Sequence, residues 1–442
     1  MRFQHFCRSI GLAVVCLASS FAFSQTLMYN FVHLGFSGAS TQVNINRWGD
    51  VIGTNNTSNT PFLYSRGSLI TLWSGGGFGT AINDNLLTTL YLGGQASTYL
   101  PGASQPTPLG TLGGFMSYPY AINNSGSVVG QSVSSTDGQY HPFLYANGKM
   151  SDLGTLGGGA PQCSATAINS SGGIVGTCVN AGGYWRAFRV VGGAAGDIDP
   201  RTTTYDSGAY AINDSGDAAG YSDMGFCSLR TGVCRGNTTY PVIFSSNGTI
   251  TKIGTLGGAW GTAYGMNNLG DIVGQANTSA GPLHAFLFSH GVMNDLNSAT
   301  VINGTGWTWY DAKVINDSGQ IVGHGINPTT QQLEIVILTP VPVILTSLTI
   351  NPSTIPGGNS TTGTVTLSRP APLGGVVIQL ADNNAAAQFP NGTTITIAPG
   401  ASSASFAISS SVVLTQTTVS VSASFNGITR TSFLILNPDH GS

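Results

Sequence analysis

Two histidines stand in the same local context, His141 before Pro-Phe-Leu and His284 before Ala-Phe-Leu. Imidazoles at matching places suggest metal ligands, but a shared ion would require two separate copies of the surrounding pattern to converge, and the remaining copies lack the histidine. Each is therefore read as a hydrogen-bonding strut inside its own unit, and no metal or cofactor is expected. The turns Asp214-Ser215-Gly216-Asp217 and Asn268-Leu269-Gly270-Asp271 look like calcium loops. They lack the spaced carboxylates and closing glutamate of such loops, and Asn and Asp already serve there as turn formers. Glycan cleavage needs two carboxylates facing each other across a sugar. Asp206 and Asp311, each just ahead of a recurring asparagine, are the pair worth testing. With one glutamate in the chain (Glu334) and no patterned nucleophile, the sequence reads more as a binder than as an enzyme.

The stronger chemical signal is aromatic. Tyr118, Tyr205, Trp260, Trp307, Trp309 and Tyr310 lie in segments that precede the recurring asparagines, with Phe36, Phe78 and Phe115 at related places. Flat apolar rings among Asn- and Thr-rich loops make a stacking surface for a glycan or a peptide. The alternative is that they plug a core.

These residues are carried by a repeat. Seven copies are anchored on Asn46, Asn83, Asn123, Asn169, Asn213, Asn267 and Asn316. In six of them a glycine stands three residues after the asparagine; the second copy, Asn83-Asp84-Asn85-Leu86, lacks it. Asparagine first and glycine fourth is tight-turn chemistry, and the flanking Val/Ile runs make each copy open on a hairpin. A third strand follows, as in Phe143-Leu144-Tyr145, and a fourth is expected at Leu-Gly-Thr-Leu-Gly-Gly (109–114, 153–158, 253–258). Four short strands per copy, apolar on both faces, predict an all-β, seven-bladed β-propeller. The last copy stops after its third strand, Glu334–Leu338, and the segment Tyr29–Leu34 is a strand without a copy, so the N-terminal strand is expected to close the last blade.

The predicted organisation is a signal peptide over 1–24, the propeller over 25–339, a linker at 340–343, a sandwich over 344–437 and a tail at 438–442. The leader reading rests on Arg2 and Arg8 ahead of the apolar run Ile10–Cys16, too short to span a bilayer. From Ser347 to Leu436 seven alternating segments separated by Pro, Gly and Asn predict a small Ig-like β-sandwich without cysteine. Of the 442 residues 7% are charged and the net charge is −3, so there is no basic footprint for nucleic acid. No membrane span is expected, and the chain is expected to be a monomer. Four cysteines follow the leader: Cys163 and Cys178 flank the turn Asn169–Gly172 symmetrically and should bridge its strands, and Cys227 and Cys234 should staple a long loop.

The motifs Asp152-Leu-Gly-Thr-Leu-Gly-Gly158, Ala121-Ile-Asn-x-Ser-Gly-x-Val-Val-Gly130 and His284-Ala-Phe-Leu287 resemble the bacterial extracellular HAF repeat family, over residues of about 33–338. The resemblance implies an exported bacterial protein and brings no established activity; the sandwich lies outside it. The functional expectation is a secreted or cell-surface module, with the periplasm as the other location, that binds an extracellular glycan or protein ligand at the propeller mouth in an adhesion role. The alternatives are a glycan-active hydrolase or lyase on the same scaffold and a structural envelope component.

Overall fold

The computed structural model describes residues 27–37, 42–158, 162–201, 205–223, 226–227, 234–235, 238–372 and 374–438. The leader expected over 1–24 and most of the tail lie outside the described residues. The described chain is all-β apart from one short 3-10 turn, Leu296–Ser298. It forms two compact units, Thr26–Pro342 and a second containing Val343–Ser442.

Among the described residues of the larger unit, seven sheets of four or five strands follow one another along the sequence. Their first strands are Asn44–Ile45, Phe78–Ile82, Gly113–Ile122, Cys163–Ile168, Ser207–Ile212, Gly257–Met266 and Thr308–Ile315. The last sheet takes a strand from the other end of the unit: Met28–Ser37 pairs antiparallel with Leu333–Pro340, with Phe31 opposite Leu338 and His33 opposite Val336. Successive sheets bury Val, Ile and Phe between them; Val129 of one sheet packs with Ile174 and Phe188 of the next, all at most 2% exposed.

The anchor asparagines hold the sheets together from one end. Each is buried. Its side-chain oxygen accepts backbone N–H groups of its own turn, as Asn123 Oδ1 does from Ser125 and Ser127 at 3.2 and 3.0 Å. Its amide then donates to the backbone carbonyl of the anchor in the next sheet. Asn46 bonds to Asn83, Asn83 to Asn123, Asn123 to Asn169, Asn169 to Asn213 and Asn267 to Asn316. Asp214 N–H to Asn268 Oδ1 spans the junction between Asn213 and Asn267. Asn316 donates to Asn46 at 3.0 Å, so the belt of bonds returns to its start. In the second copy Leu86 occupies the turn's glycine place with φ +62°.

Six of the seven first strands carry a bulge at one place, three residues before the anchor, at Thr80, Tyr120, Thr166, Tyr210, Tyr264 and Lys313. A bulge leaves one residue unpaired and re-aims its side chain. The second strand answers with a glycine seven residues after the anchor. At Gly130, Gly176 and Gly274 a Cβ would collide with the carbonyl oxygens of Tyr118, Ser164 and Thr262, and would press the rings of Phe143, Phe188 and Phe286. The second copy carries Leu90 there and places Gly79 opposite it.

Leu-Gly-Thr-Leu-Gly-Gly is not the fourth strand. The fourth strands end at Gly110, Asp152 and Lys252, and the motif carries the chain onward to the next first strand. The reason is conformational: φ turns to +79° at Gly110, the last residue of its strand, and to +74° and +91° at Gly154 and Gly254, just past theirs, so the extended backbone breaks off there. The threonine fixes the turn: the Thr111 and Thr255 hydroxyls donate to Gly114 and Gly258 carbonyls and accept from Gly113 and Gly257 N–H groups. His141 and His284 do stay within their sheets. Their Nδ1 atoms lie 2.7 and 2.8 Å from Asp152 and Asp295 on the neighbouring fourth strands, and Arg186 makes the matching bond to Asp197 at 2.8 Å.

Cys163 and Cys178 sit opposite one another in the ladder and form a disulfide. Cys227 and Cys234 are also register partners in a two-stranded pair; their side chains lie outside what the structure describes. In the second unit two sheets share one apolar core containing Val365, Ile378, Ile408, Val419 and Leu434.

Candidate functional site

A cavity of 480 Å³ is lined by residues from the first strand, or its immediate approach, of every one of the seven sheets. At the belt end its wall is apolar, formed by Ile122, Ile168, Ile212 and Met266, each immediately before its anchor asparagine. One turn of the pleat further in, the bulges insert Tyr120, Tyr210, Tyr264 and Lys313, with Thr80 and Thr166 between them. Burial raises the phenols: Tyr120 is pushed up to about 12, and Tyr264 rises further, with Asp311 adding to the effect of burial. The Lys313 ammonium lies 3.9 Å above the Tyr264 ring centroid and 3.1 Å from Asp311.

At the mouth opposite the belt, a side pocket of 360 Å³ shares Tyr210 and Tyr264 with this cavity. Asp206 and Asp223 line it together with Tyr221 and Trp260, and Thr239 and Thr262 complete the wall. Tyr221 reaches in from the second strand because its register partner is Gly208; a Cβ there would stand 2.6 Å from the Tyr221 ring. The Tyr210 ring lies 5.8 Å from Tyr221 and 5.9 Å from Tyr264, centroid to centroid. Asp206 Oδ1 accepts from Trp185 N–H at 2.9 Å, and Asp223 Oδ1 accepts from the Thr239 hydroxyl at 2.6 Å. Burial raises the Asp223 carboxyl above its ordinary value; the Thr239 bond and Arg201 oppose this and Asp206 reinforces it. The rim behind is held by fully buried Arg186, whose guanidinium bonds Asp197 and the Tyr205 carbonyl, and by Arg201 on Asp199 at 2.6 Å.

The six aromatic residues picked from the sequence therefore divide. Trp260 is in the side pocket, and Tyr118 stands by the cavity with its ring 5.1 Å from Tyr120 and 4.8 Å from Tyr91. Tyr205 and Tyr310 are half-buried, and each lends a backbone carbonyl to the scaffold, to Arg186 and Gln275. Trp309 is corrected: it is 3% exposed and packs in the core with Tyr29, Leu296 and Leu338, so it offers no surface to a ligand. Trp307 stacks on it at 6.3 Å and lies 4.9 Å from Phe31 of the closing strand. The proposed carboxylate pair is also re-sorted. His324 Nδ1 and Lys313 Nζ engage Asp311 at 2.8 and 3.1 Å, and although burial raises its carboxyl these partners hold it below the ordinary value. The carboxylate beside Asp206 in the pocket is Asp223. Tyr120, Tyr210 and Tyr264 were missed although tyrosine recurs three residues before the anchor in three copies; that recurrence was the available signal. Tyr221 and Asp223 had no local signal.

No protein-family model matches the chain, and no curated protein matches it in sequence. Solved structures resemble it loosely. A gluconolactonase from Xanthomonas campestris, described as important in glucose secondary metabolic pathways, aligns at 9% identity over 71% of this chain and 90% of that one, with a TM-score of 0.36. TolB from Acinetobacter baumannii aligns at 13% identity over 57% of this chain and 59% of that one, with a TM-score of 0.34. Likeness at this level carries no argument about function. Among the described residues no helix is long and apolar enough to cross a membrane.

Proposed function

We propose that this chain is an exported binding module whose seven sheets are the blades of one propeller, with an Ig-like sandwich as an appended unit and the HAF repeat resemblance as its lineage. Its ligand, a glycan or a segment of protein, sits at the mouth opposite the asparagine belt. One observation carries the reading: the bulge recurs at a single position, and three times in six the side chain it turns into the cavity is a tyrosine. Rings presented beside Thr and Tyr hydroxyls suit stacking with polar trimming, which binds without any reacting group.

The experiment is a glycan array probed with the purified protein and with Trp260→Ala and Tyr210→Ala. Loss of retention with an unchanged melting curve supports the reading; unaltered retention by both variants removes it. A glycan-cleaving reading is favoured by the juxtaposition of Asp206 with Asp223, whose raised carboxyl is what a general acid requires. Turnover of a retained glycan that stops in Asp223→Asn would replace binding with catalysis.

A further inference from the structure

We infer that the side pocket selects a protonated amine, and that the ligand of the mouth is an amino sugar with its amine free. This rests on the mouth-binding reading and names the ligand class for it. The lining holds two carboxylates and four aromatic rings, and no lysine or arginine. Among the described residues the nearby cations form their ion pairs with other carboxylates: Arg201 grips Asp199 through Nη2 at 2.6 Å and Nε at 2.9 Å while its Nη1 reaches the Asp223 backbone carbonyl at 3.3 Å, Arg186 holds Asp197, and Lys313 holds Asp311. Among the described residues neither Asp206 nor Asp223 forms an ion pair, whereas Asp197, Asp199 and Asp311 all do. Two half-buried carboxylates share this recess, and among the described residues only Arg201, already paired with Asp199, acts on one of them from a distance. An incoming ammonium supplies the ion-pair partner that neither carboxylate has among the described residues.

The walls suit the same guest. A cation over the face of Trp or Tyr is drawn by the ring quadrupole, most strongly where water is excluded. Tyr210, Tyr221, Tyr264 and Trp260 offer such faces around the two carboxylates. The phenol groups of Tyr210, Tyr221 and Tyr264 and the Thr262 hydroxyl add polar atoms to the same lining. These are partners for sugar hydroxyls, which a simple alkylammonium or a lysine side chain does not have. A neutral sugar would gain only the stacking, and would bury both carboxylates uncompensated.

The test compares glucosamine tetramer with its N-acetylated counterpart, by calorimetric titration of the unmodified protein at constant pH and ionic strength. The free-amine oligomer should bind at least tenfold more tightly, about 1.4 kcal/mol. The double variant Asp206→Asn, Asp223→Asn should bring that ratio close to one without weakening the N-acetylated oligomer. Choline against its uncharged isostere 3,3-dimethylbutan-1-ol repeats the comparison on unmodified protein, so the inference is decided even where a variant fails to fold. Equal binding of charged and neutral probes, or tighter binding of a lysine tripeptide than of the glucosamine oligomer, overturns it. If both oligomers bind equally and both are lost in Trp260→Ala, the mouth reading stands and the amine inference falls. If no oligomer binds, both fall.

Discussion

Replacing Asn123 by Asp and by Ala separates what the belt does inside a turn from what it does between sheets. The residue is 7% exposed. Its Oδ1 accepts two N–H groups of its own turn, and its Nδ2 donates to the Asn169 carbonyl of the next sheet at 3.2 Å. Aspartate keeps both acceptor bonds and loses only the donor. The Asn169 carbonyl is then left facing a carboxylate oxygen. A net hydrogen bond contributes about 1 kcal/mol and an unsatisfied buried group costs about 1–3 kcal/mol, so Asn123→Asp should lose about 2–3 kcal/mol. Alanine removes the turn bonds as well and should lose about 3–5 kcal/mol. For a unit of this size the aspartate loss corresponds to a fall in melting midpoint of about 3–5 °C.

Acid distinguishes the two variants. Burial and the facing carbonyl oxygen raise the new carboxyl while its two turn N–H bonds lower it, and the inter-sheet role of the amide requires the first pair to win, which puts the folded-state pKa above the unfolded value of about 3.9. The penalty is therefore full above the folded value and shrinks as pH falls through it, because the protonated carboxyl donates to the Asn169 carbonyl as the amide did. The alanine deficit has no such relief. Thermal melts of the three proteins from neutral pH down to about pH 4 measure this. An aspartate variant that melts with the parent at neutral pH, or whose deficit widens in acid, refutes the inter-sheet role of the amide.

Other expectations follow from the same geometry. Removing residues 27–37 strips the partner from Leu333–Pro340 and exposes an open strand edge, so the whole larger unit should melt earlier and aggregate; an unchanged melt excludes the closing role. Leu86→Gly should stabilise by about 0.5–1 kcal/mol, since a left-handed non-glycine residue costs about 1–2 kcal/mol and glycine returns part of that as chain entropy; urea midpoints test it. His141 loses something to burial, but Asp137 and Asp152 outweigh that and hold its imidazole above the ordinary value. Its contribution is fully present below about pH 6.5 and fades as pH rises through the folded value, so His141→Gln should flatten that part of the stability profile. Reducing the Cys163–Cys178 bridge should cost about 3 kcal/mol for a loop of this length, seen as a lower midpoint in reductant.

The repeat was legible because every copy meets the same surroundings. An asparagine that caps its own turn and bonds its neighbour is required once per sheet, so it recurs, and the strands attached to it can be counted. The closing strand was legible for a related reason: Tyr29–Leu34 and Glu334–Leu338 are each incomplete alone. The side-chain directions were less legible. A bulge is a relation between two strands, and nothing local marks Tyr120 as unpaired. The alternation in Trp307-Thr308-Trp309-Tyr310 puts both tryptophans on one face, but what covers that face is Phe31 and Tyr29, from the far end of the unit. The sequence of the last copy therefore could not distinguish a mouth from a core. Tyr221 enters the pocket only because Gly208 opposite it has no side chain, a condition set by register.

The separation of scaffold from site can be argued within this one chain. The residue before each anchor is isoleucine six times and methionine once, and the anchor never changes. Two places further back the residues are Val43, Thr80, Tyr120, Thr166, Tyr210, Tyr264 and Lys313, with no common chemistry. The second position lines the cavity in all seven sheets and the first in four, and the bulge that exposes the second is kept in six sheets. A position whose backbone distortion is held while its side chain is unconstrained is not serving the packing, since packing would impose one size on equivalent places. Tyr210 and Tyr264 stand on adjacent sheets and meet Asp206, Asp223 and Trp260. The side chains thus differ from sheet to sheet around a constant frame, with the carboxylates and Trp260 gathered beside Tyr210 and Tyr264, and such asymmetry is what recognition of an asymmetric ligand requires.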